Sequence, residues 1–194
     1  MDRYRSKKSK EKSTNRIRQN FKKETFHPRR QQLKKILKKA KKEPLASTDL
    51  ILLLRKRNNF IGCFPSDRLK TIYILAQPVF FIVNIDVSCE PGSHWIAVRI
   101  GNSTVEIFDS LGFNTRLWNS YPSDLFLFLN RYRISHKFFV TPILQPPNTF
   151  YCGLYCVYFI IYRQNISFKN CVDKFSRALL NNNSKLASFL IHKN

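Results

Sequence analysis

The segment Gln145–Arg163, "QPPNTFYCGLYCVYFIIYR", decides how the chain must fold. Pro146 and Pro147 make a stiff approach, because each fixes its own φ and lacks an N–H. From Gly153 onward, "GLYCVYFIIYR" is apolar on every face until Arg163. That pattern predicts a helix buried all round rather than an amphipathic one. Such a helix needs a sheet beneath it and other helices around it. Cys152 and Cys156 stand one turn apart on it. Three roles are open to them at this point: nucleophile, metal ligand or core.

Four runs supply the strands. "VFFIVNID" (79–86) has the apolar, β-branched and aromatic content of a buried strand, and "WIAVRI" (95–100) and "TVEIFD" (104–109) follow it. "HKFFVTPIL" (136–144) is a further strand, which Pro142 assigns to an edge. Helices are predicted for "LILLLRKR" after the capping run Ser47-Thr48-Asp49, for part of "RLKTIYILA", and for "YPSDLFLFLNRYR" with Ser123 as its cap. "SFKNCVDKFSRALL" and "SKLASFLI" close the chain as helices, and "FIGCFPSDRL" (60–69) reads as a turn-rich connector. Together these elements predict an α+β domain with a mostly antiparallel central sheet flanked by helices.

Charge divides the 194 residues unevenly. The net charge is +22, and residues 1–44 hold 18 Lys/Arg against 4 Asp/Glu with only 9 apolar residues. So polar a segment is expected to be a disordered or partly helical arm on residues 1–44, with the folded domain on 45–194. Within the arm, Leu33, Ile36, Leu37 and Ala40 recur at helical spacing. Arg29, Arg30, Lys34, Lys35, Lys38, Lys39, Lys41 and Lys42 surround them, a density of charge that attracts phosphate backbones. DNA, RNA and acidic membrane surfaces share that attraction. No secretory signal is evident, and the longest apolar runs are too short to span a bilayer. Five cysteines, an odd count without compact spacing, point to a reducing intracellular compartment and no disulfide framework.

The run "GSHWIAVRIGNSTVEIFDSLG" (92–112) places two polar side chains together. With Gly101-Asn102 as a two-residue hairpin turn, Ile100 faces Ser103 and His94 falls opposite Asp109. Opposed residues share a face, so an imidazole meets a carboxylate that fixes its tautomer and favours the imidazolium. Cys152, at the start of the buried helix, sits at the positive end of a helix dipole, where thiols ionise more readily. Its backbone N–H is free to serve an oxyanion, and Gln145 offers a neutral amide donor for the same purpose. Gly153 leaves room for a peptide substrate, and Cys156, a turn deeper, belongs to the core. Metal is not expected. Cys-x3-Cys has no second Cys/His pair at short spacing, and His136 and His192 are isolated.

"GSHW", "IFDSLGF" and "QPPNTFYCGLYC" occur in that order, preceded by "FIGCFPSDRL" and "FFIVNID". Over residues 46–163 this series resembles the adenovirus endopeptidase (adenain-type) cysteine proteases, found in adenoviruses and in virus-like Maverick/Polinton DNA elements. These are similar in fold to the SUMO-processing proteases. The resemblance implies a papain-like, adenain-like fold. It implies His94 as general base, Asp109 as third triad member, Cys152 as nucleophile, Gln145 and the Cys152 amide as oxyanion hole, and Trp95 packed beside them. Asn148 would shape the loop.

Three features depart from the family pattern. Asp109 stands where the adenovirus enzymes usually carry Glu. "NRYRISHKFFV" lacks the cysteine through which the best-known members bind an activating peptide by a disulfide. The basic arm has no counterpart there. The resemblance further implies viral or virus-like capsid and core precursors as substrates, cleaved after Gly or other small residues, and DNA as an activating polyanion. A monomer in the virion or host nucleus, with no membrane span, is expected. An isopeptidase acting on ubiquitin-like modifiers would share the triad. A non-catalytic DNA-binding protein on this fold would need none of it.

Overall fold

The computed structural model describes residues 27–113, 121–132 and 135–193. A five-stranded sheet runs in the order β1 (Phe60–Pro65), β2 (Val79–Asn84), β3 (Trp95–Ile100), β4 (Thr104–Phe108) and β5 (Lys137–Val140). Pairings β2–β3 and β3–β4 are antiparallel, and β1–β2 and β4–β5 are parallel. The sheet is therefore mixed, not mostly antiparallel. Its central hairpins alternate direction, whereas each edge strand is reached by a crossover.

β2 is buried along its whole length because both sheet faces are covered. Phe80 and Ile82 point into one core with Ala97 and Phe108; Val79, Phe81 and Val83 point into the other with Ile96, Val98 and Ile107. The second core is closed by α3 (Ser123–Asn130) through Leu125, Phe128 and Leu129. The first surrounds α4 (Cys152–Tyr162), on which every residue from Cys152 to Ile161 is buried. α2 (Ser47–Leu54) and α6 (Asn182–Lys193) pack on its flanks through Leu50, Leu54, Leu186 and Leu190.

Several expected elements take another form. "FIGCFP" is strand β1, not a connector. The helix expected in "RLKTIYILA" is a short 3₁₀ turn, Ser66–Thr71. α3 has Pro122 at its N-cap, and Ser123 makes no capping bond. The long helix expected after Ser167 is confined to α5 (Phe168–Val172), followed by a 3₁₀ turn at Leu179–Asn181. β5 does lie at the sheet edge, as Pro142 suggested.

The β3–β4 turn falls on Asn102-Ser103, with the Gly101 N–H donating to the Thr104 carbonyl at 2.8 Å. Ile100 consequently faces Val105, two residues beyond the expected Ser103. Gly101 is small for a different reason than turn geometry: a Cβ there would lie 2.7 Å from Arg99 Nη1.

The largest departure is at the N-terminal side. Residues His27–Lys39 form helix α1, which packs on α6. Its Leu33, Ile36 and Leu37, with the following Ala40, are buried in the same core as α4. The packed body thus begins on the N-terminal side of the expected boundary at 44/45. Four apolar residues on one helical stripe bury enough surface to order a helix whose average composition is strongly polar. Asp49 joins α1 to α2: its Oδ2 accepts from Lys39 Nζ at 2.8 Å and from the Ala46 N–H at 3.1 Å. Residues 1–26 and the Arg29 side chain lie outside the described residues. Leu33→Ala is expected to destabilise the chain by about 2–5 kcal/mol, the range for deleting a buried Leu side chain. Exposed Lys34→Gln should stay within about 0.5 kcal/mol. Urea denaturation of the two variants checks this, and equal midpoints would mean that α1 contributes no packing.

Candidate active site

β3 and β4 end close together, and the chain beyond them carries the polar pair. The His94 carbonyl accepts from the Ile85 N–H at 3.1 Å, continuing the β2–β3 ladder one step. His94 Nε2 lies 2.7 Å from Asp109 Oδ1. The shift in register by two residues makes them diagonal rather than direct neighbours. The two still meet, because side chains alternate with period two and a shift of two keeps the face.

Asp109 is 2% exposed and fully occupied. Oδ1 also accepts from the Leu111 N–H at 2.9 Å, and Oδ2 accepts from the Tyr121 hydroxyl at 2.9 Å. The Thr141 hydroxyl bonds the Asp109 carbonyl, and the Asp109 N–H donates back to it. A carboxylate held by donors on both oxygens keeps its rotamer inside the protein. Tyr121, stacked on Phe113 at 4.4 Å, and Thr141 were not legible in the sequence. They reach Asp109 from distant segments, and neither sits in a motif.

Cys152 is the first residue of α4, 5% exposed, with no acidic residue in the first turn to oppose the helix dipole. Burial of His94 disfavours its charge. The hydrogen bonds to Asp109 and to Cys152, and the charges of both, outweigh that cost and push the imidazole up to about 9. With Nε2 committed to Asp109, Nδ1 is the nitrogen left for the Cys152 sulfur. Cys156 is 1% exposed, and burial raises its thiol well above the ordinary range, consistent with a core role.

Gln145 is held at three points, and the residue before it at another. Its backbone N–H donates to the Ser110 carbonyl at 2.8 Å, and its Oε1 accepts from the Ser110 hydroxyl at 2.8 Å. Nε2 donates to the Thr149 carbonyl at 2.6 Å. The preceding Leu144 carbonyl is fixed by Asn182 Nδ2 at 2.8 Å. The amide has two N–H donors, so one remains. Ser110, one residue past Asp109, sets which way the amide faces. Asn148 turns the loop with φ 54°, as its loop-shaping role requires.

Trp95 lies beside this group, its Nε1 donating to the Leu45 carbonyl at 2.8 Å. The segment after α1 therefore holds the indole in place. Gly153 is closely packed: a Cβ there would stand 2.9 Å from Leu50 Cδ2 and 3.4 Å from Trp95 Cδ1. An open cleft of about 390 Å³ runs past Trp95 between Pro44, Leu45, Val87, Pro91 and Gly92. Of the basic set, Arg30, Lys34, Lys35, Lys38, Lys41 and Lys42 are exposed, whereas Lys39 is spent on Asp49. Among the described residues, no group of three His, Cys, Asp or Glu side chains is arranged to hold a metal ion, and no helix is long and apolar enough to cross a membrane.

Comparison with known proteins bears on this arrangement. No curated protein matches the chain. Among solved structures, SUMO protease Ulp1 with its catalytic cysteine oxidized to a sulfinic acid is similar at 17% identity, over 79% of this chain and 80% of that one, with a TM-score of 0.39. The C-terminal Ulp1 protease domain in complex with Smt3, the yeast ortholog of SUMO, gives 16%, 77%, 76% and 0.39. The ASFV pS273R protease gives 17%, 79%, 69% and 0.44. The model of the adenovirus endoprotease family matches residues 60–188, more than half of the chain. That match runs from β1 into α6, through the histidine, the aspartate, the glutamine loop and the buried helix, and the chain belongs to the adenovirus endoprotease family.

Proposed function

We propose that the protein is a cysteine endopeptidase with Cys152 as nucleophile, His94 as acid and base, and Asp109 as the residue that orients His94. The observation that carries this reading is the buried 2.7 Å contact between His94 and Asp109, with the imidazole raised by both Asp109 and Cys152. That pairing supports a thiolate–imidazolium ion pair at the start of a helix.

The Cys152 sulfur attacks the scissile carbonyl carbon. A C–S bond forms, and the carbonyl electrons move to oxygen. The Cys152 N–H and the remaining Gln145 Nε2–H receive that oxyanion. Collapse breaks the C–N bond, and His94 Nδ1 gives its proton to the leaving amine. Neutral His94 then takes a proton from water, which attacks the thioester. The acid product leaves, and the sulfur returns to its paired state.

We assign viral or virus-like structural precursors as substrates, cut after Gly or another small residue, in the virion or host nucleus. The open cleft past Trp95, bordered by Pro44 and Pro91, supports a binding groove for an extended peptide. Six exposed cations on α1 and the turn after it support association with nucleic acid. The test is incubation with co-encoded structural proteins and with a ubiquitin-like fusion, followed by mapping of new N-termini. Cleavage confined to the fusion would overturn the substrate assignment.

Cys152→Ala is expected to abolish cleavage and labelling by a thiol-directed substrate probe, while Cys156→Ala keeps most of both. Equal loss in two folded variants would remove Cys152 from its role.

Gln145→Ala should lower kcat by roughly 10²–10³, the usual cost of one oxyanion donor, with a smaller effect on KM. Steady-state kinetics on a peptide substrate reads this directly.

The raised His94 sets two pH dependences. The imidazolium persists from its ordinary pKa of 6.5 up to about 9, so kcat/KM should fall on an alkaline limb near pH 9 as the leaving-group acid is lost. Because the folded state raises this group, its contribution to stability is complete below about 6.5 and is lost as pH climbs through about 9. Denaturation midpoints between pH 6 and 10 should fall in the wild type and stay flatter in His94→Gln.

A further inference from the structure

At the end of the sheet away from His94, a second charged group ties together the same three elements. Arg99 lies further along β3 from His94, Glu106 precedes Asp109 on β4, and Arg163 follows the last turn of α4, whose first residue is Cys152. Glu106 is 2% exposed and has both oxygens bonded. Oε1 accepts from Arg99 Nη1 at 2.9 Å and from Arg163 Nη2 at 2.8 Å, and Oε2 accepts from Arg163 Nε at 2.7 Å.

One carboxylate thus faces two guanidinium groups, leaving a positive charge without a counterion. Burial holds Arg99 below its ordinary range; Glu106 offsets this in part, and Arg163 adds to it. The Arg99 side chain is 15% exposed. Its Nη1 also reaches Thr104 Oγ1 at 3.2 Å, and no acceptor among the described residues bonds its Nε or Nη2.

Arg99 borders a cavity of about 480 Å³ together with Arg163, Lys169, Ser103, Thr104 and Ser167. Among the described residues, Glu106 is the only carboxylate that lines it, and both its oxygens are bonded. Lys169 brings another cation to the rim, partnered by Asp173 outside the lining. The Ser167 oxygen accepts from the Asn170 N–H at 3.1 Å, which leaves its own hydroxyl proton to donate. Pro78, Phe139 and Phe168 wall the other side.

We propose that this cavity is a phosphate-binding site, with the oxyanion held by Arg99, Lys169 and the Ser167 hydroxyl. A tetrahedral oxyanion matches the donors gathered around the cavity and the positive charge that Glu106 leaves without a counterion. The volume leaves space for a substituent on the phosphate, so the group can belong to a free phosphate compound or to a nucleic-acid backbone. The proposal stands apart from the protease reading, and its test needs no catalysis.

The experiment measures thermal unfolding of the full chain at fixed ionic strength, with inorganic phosphate or a short oligonucleotide replacing chloride. The expected result is a saturable rise in Tm with phosphate, with the apparent affinity lowered at least about tenfold in Arg99→Met. This variant keeps both Glu106 oxygens paired to Arg163 and keeps an aliphatic chain over Phe80, so it should fold. Lys169→Ala, at an exposed position, is the second variant and should weaken the response less. A response to the oligonucleotide alone, sensitive to Arg99→Met, would support the site with a phosphodiester as its source. No saturable response to either probe, or one that both variants retain, overturns the proposal.

Discussion

Helix α4 has no side that can face water. Ten consecutive residues, Cys152 to Ile161, are buried, and the surrounding structure is the set of surfaces that this burial demands. Phe159 stacks on Phe108 at 4.7 Å and meets Phe80 edge-on, which seats the helix on the sheet. Tyr158 packs with Phe175 and Phe189, and its hydroxyl donates to the Cys171 carbonyl at 3.0 Å, which covers the opposite side. A helix enclosed this way cannot slide or rotate without opening a cavity. Its first residue inherits that rigidity, and Gly153 lets Leu50 and Trp95 close against the same turn.

The polar side of the site is built on the same principle. His94, Asp109 and Gln145 are each less than a tenth exposed, yet each has a defined partner. Removing water makes an unpaired polar atom expensive and a paired one strong, so a buried network holds its geometry only if it is complete. Tyr121, Thr141 and Ser110 complete it. The strand pair supplies His94 and Asp109, but Tyr121 orients the carboxylate, Ser110 the Gln145 amide, and Thr141 the backbone of Asp109.

What was legible in the sequence follows from this division. β2, β3, β4 and α4 are dense apolar runs, and their pattern is strong enough to identify them without tertiary context. The facing of His94 and Asp109 was also legible, because it depends on a period of two and survives a register error of two. The register itself was misjudged: Gly101 looked like a turn residue but makes room for the Arg99 guanidinium. β1 was hidden by Gly62, at φ 135°, and Pro65, which resemble turn chemistry in a strand that pairs on one side only. Strand direction at the sheet edges leaves no mark on the pattern. The burial of α1 was masked by averaging, since four apolar residues decide its place among many lysines. The three hydroxyl partners gave no signal because their contacts exist only after folding.

The docking of α1 on α6 has a temporal consequence. During synthesis α1 leaves the ribosome early, but its apolar stripe has no seat until α6 has been made. The Asn182 contact that fixes the glutamine loop at Leu144 waits for the same event. Contacts between such distant parts of a chain form late, after the loops between them close. The nascent polypeptide therefore carries its imidazole, and then its thiol, before α6 exists, and the support for the glutamine loop is completed only once α6 has emerged.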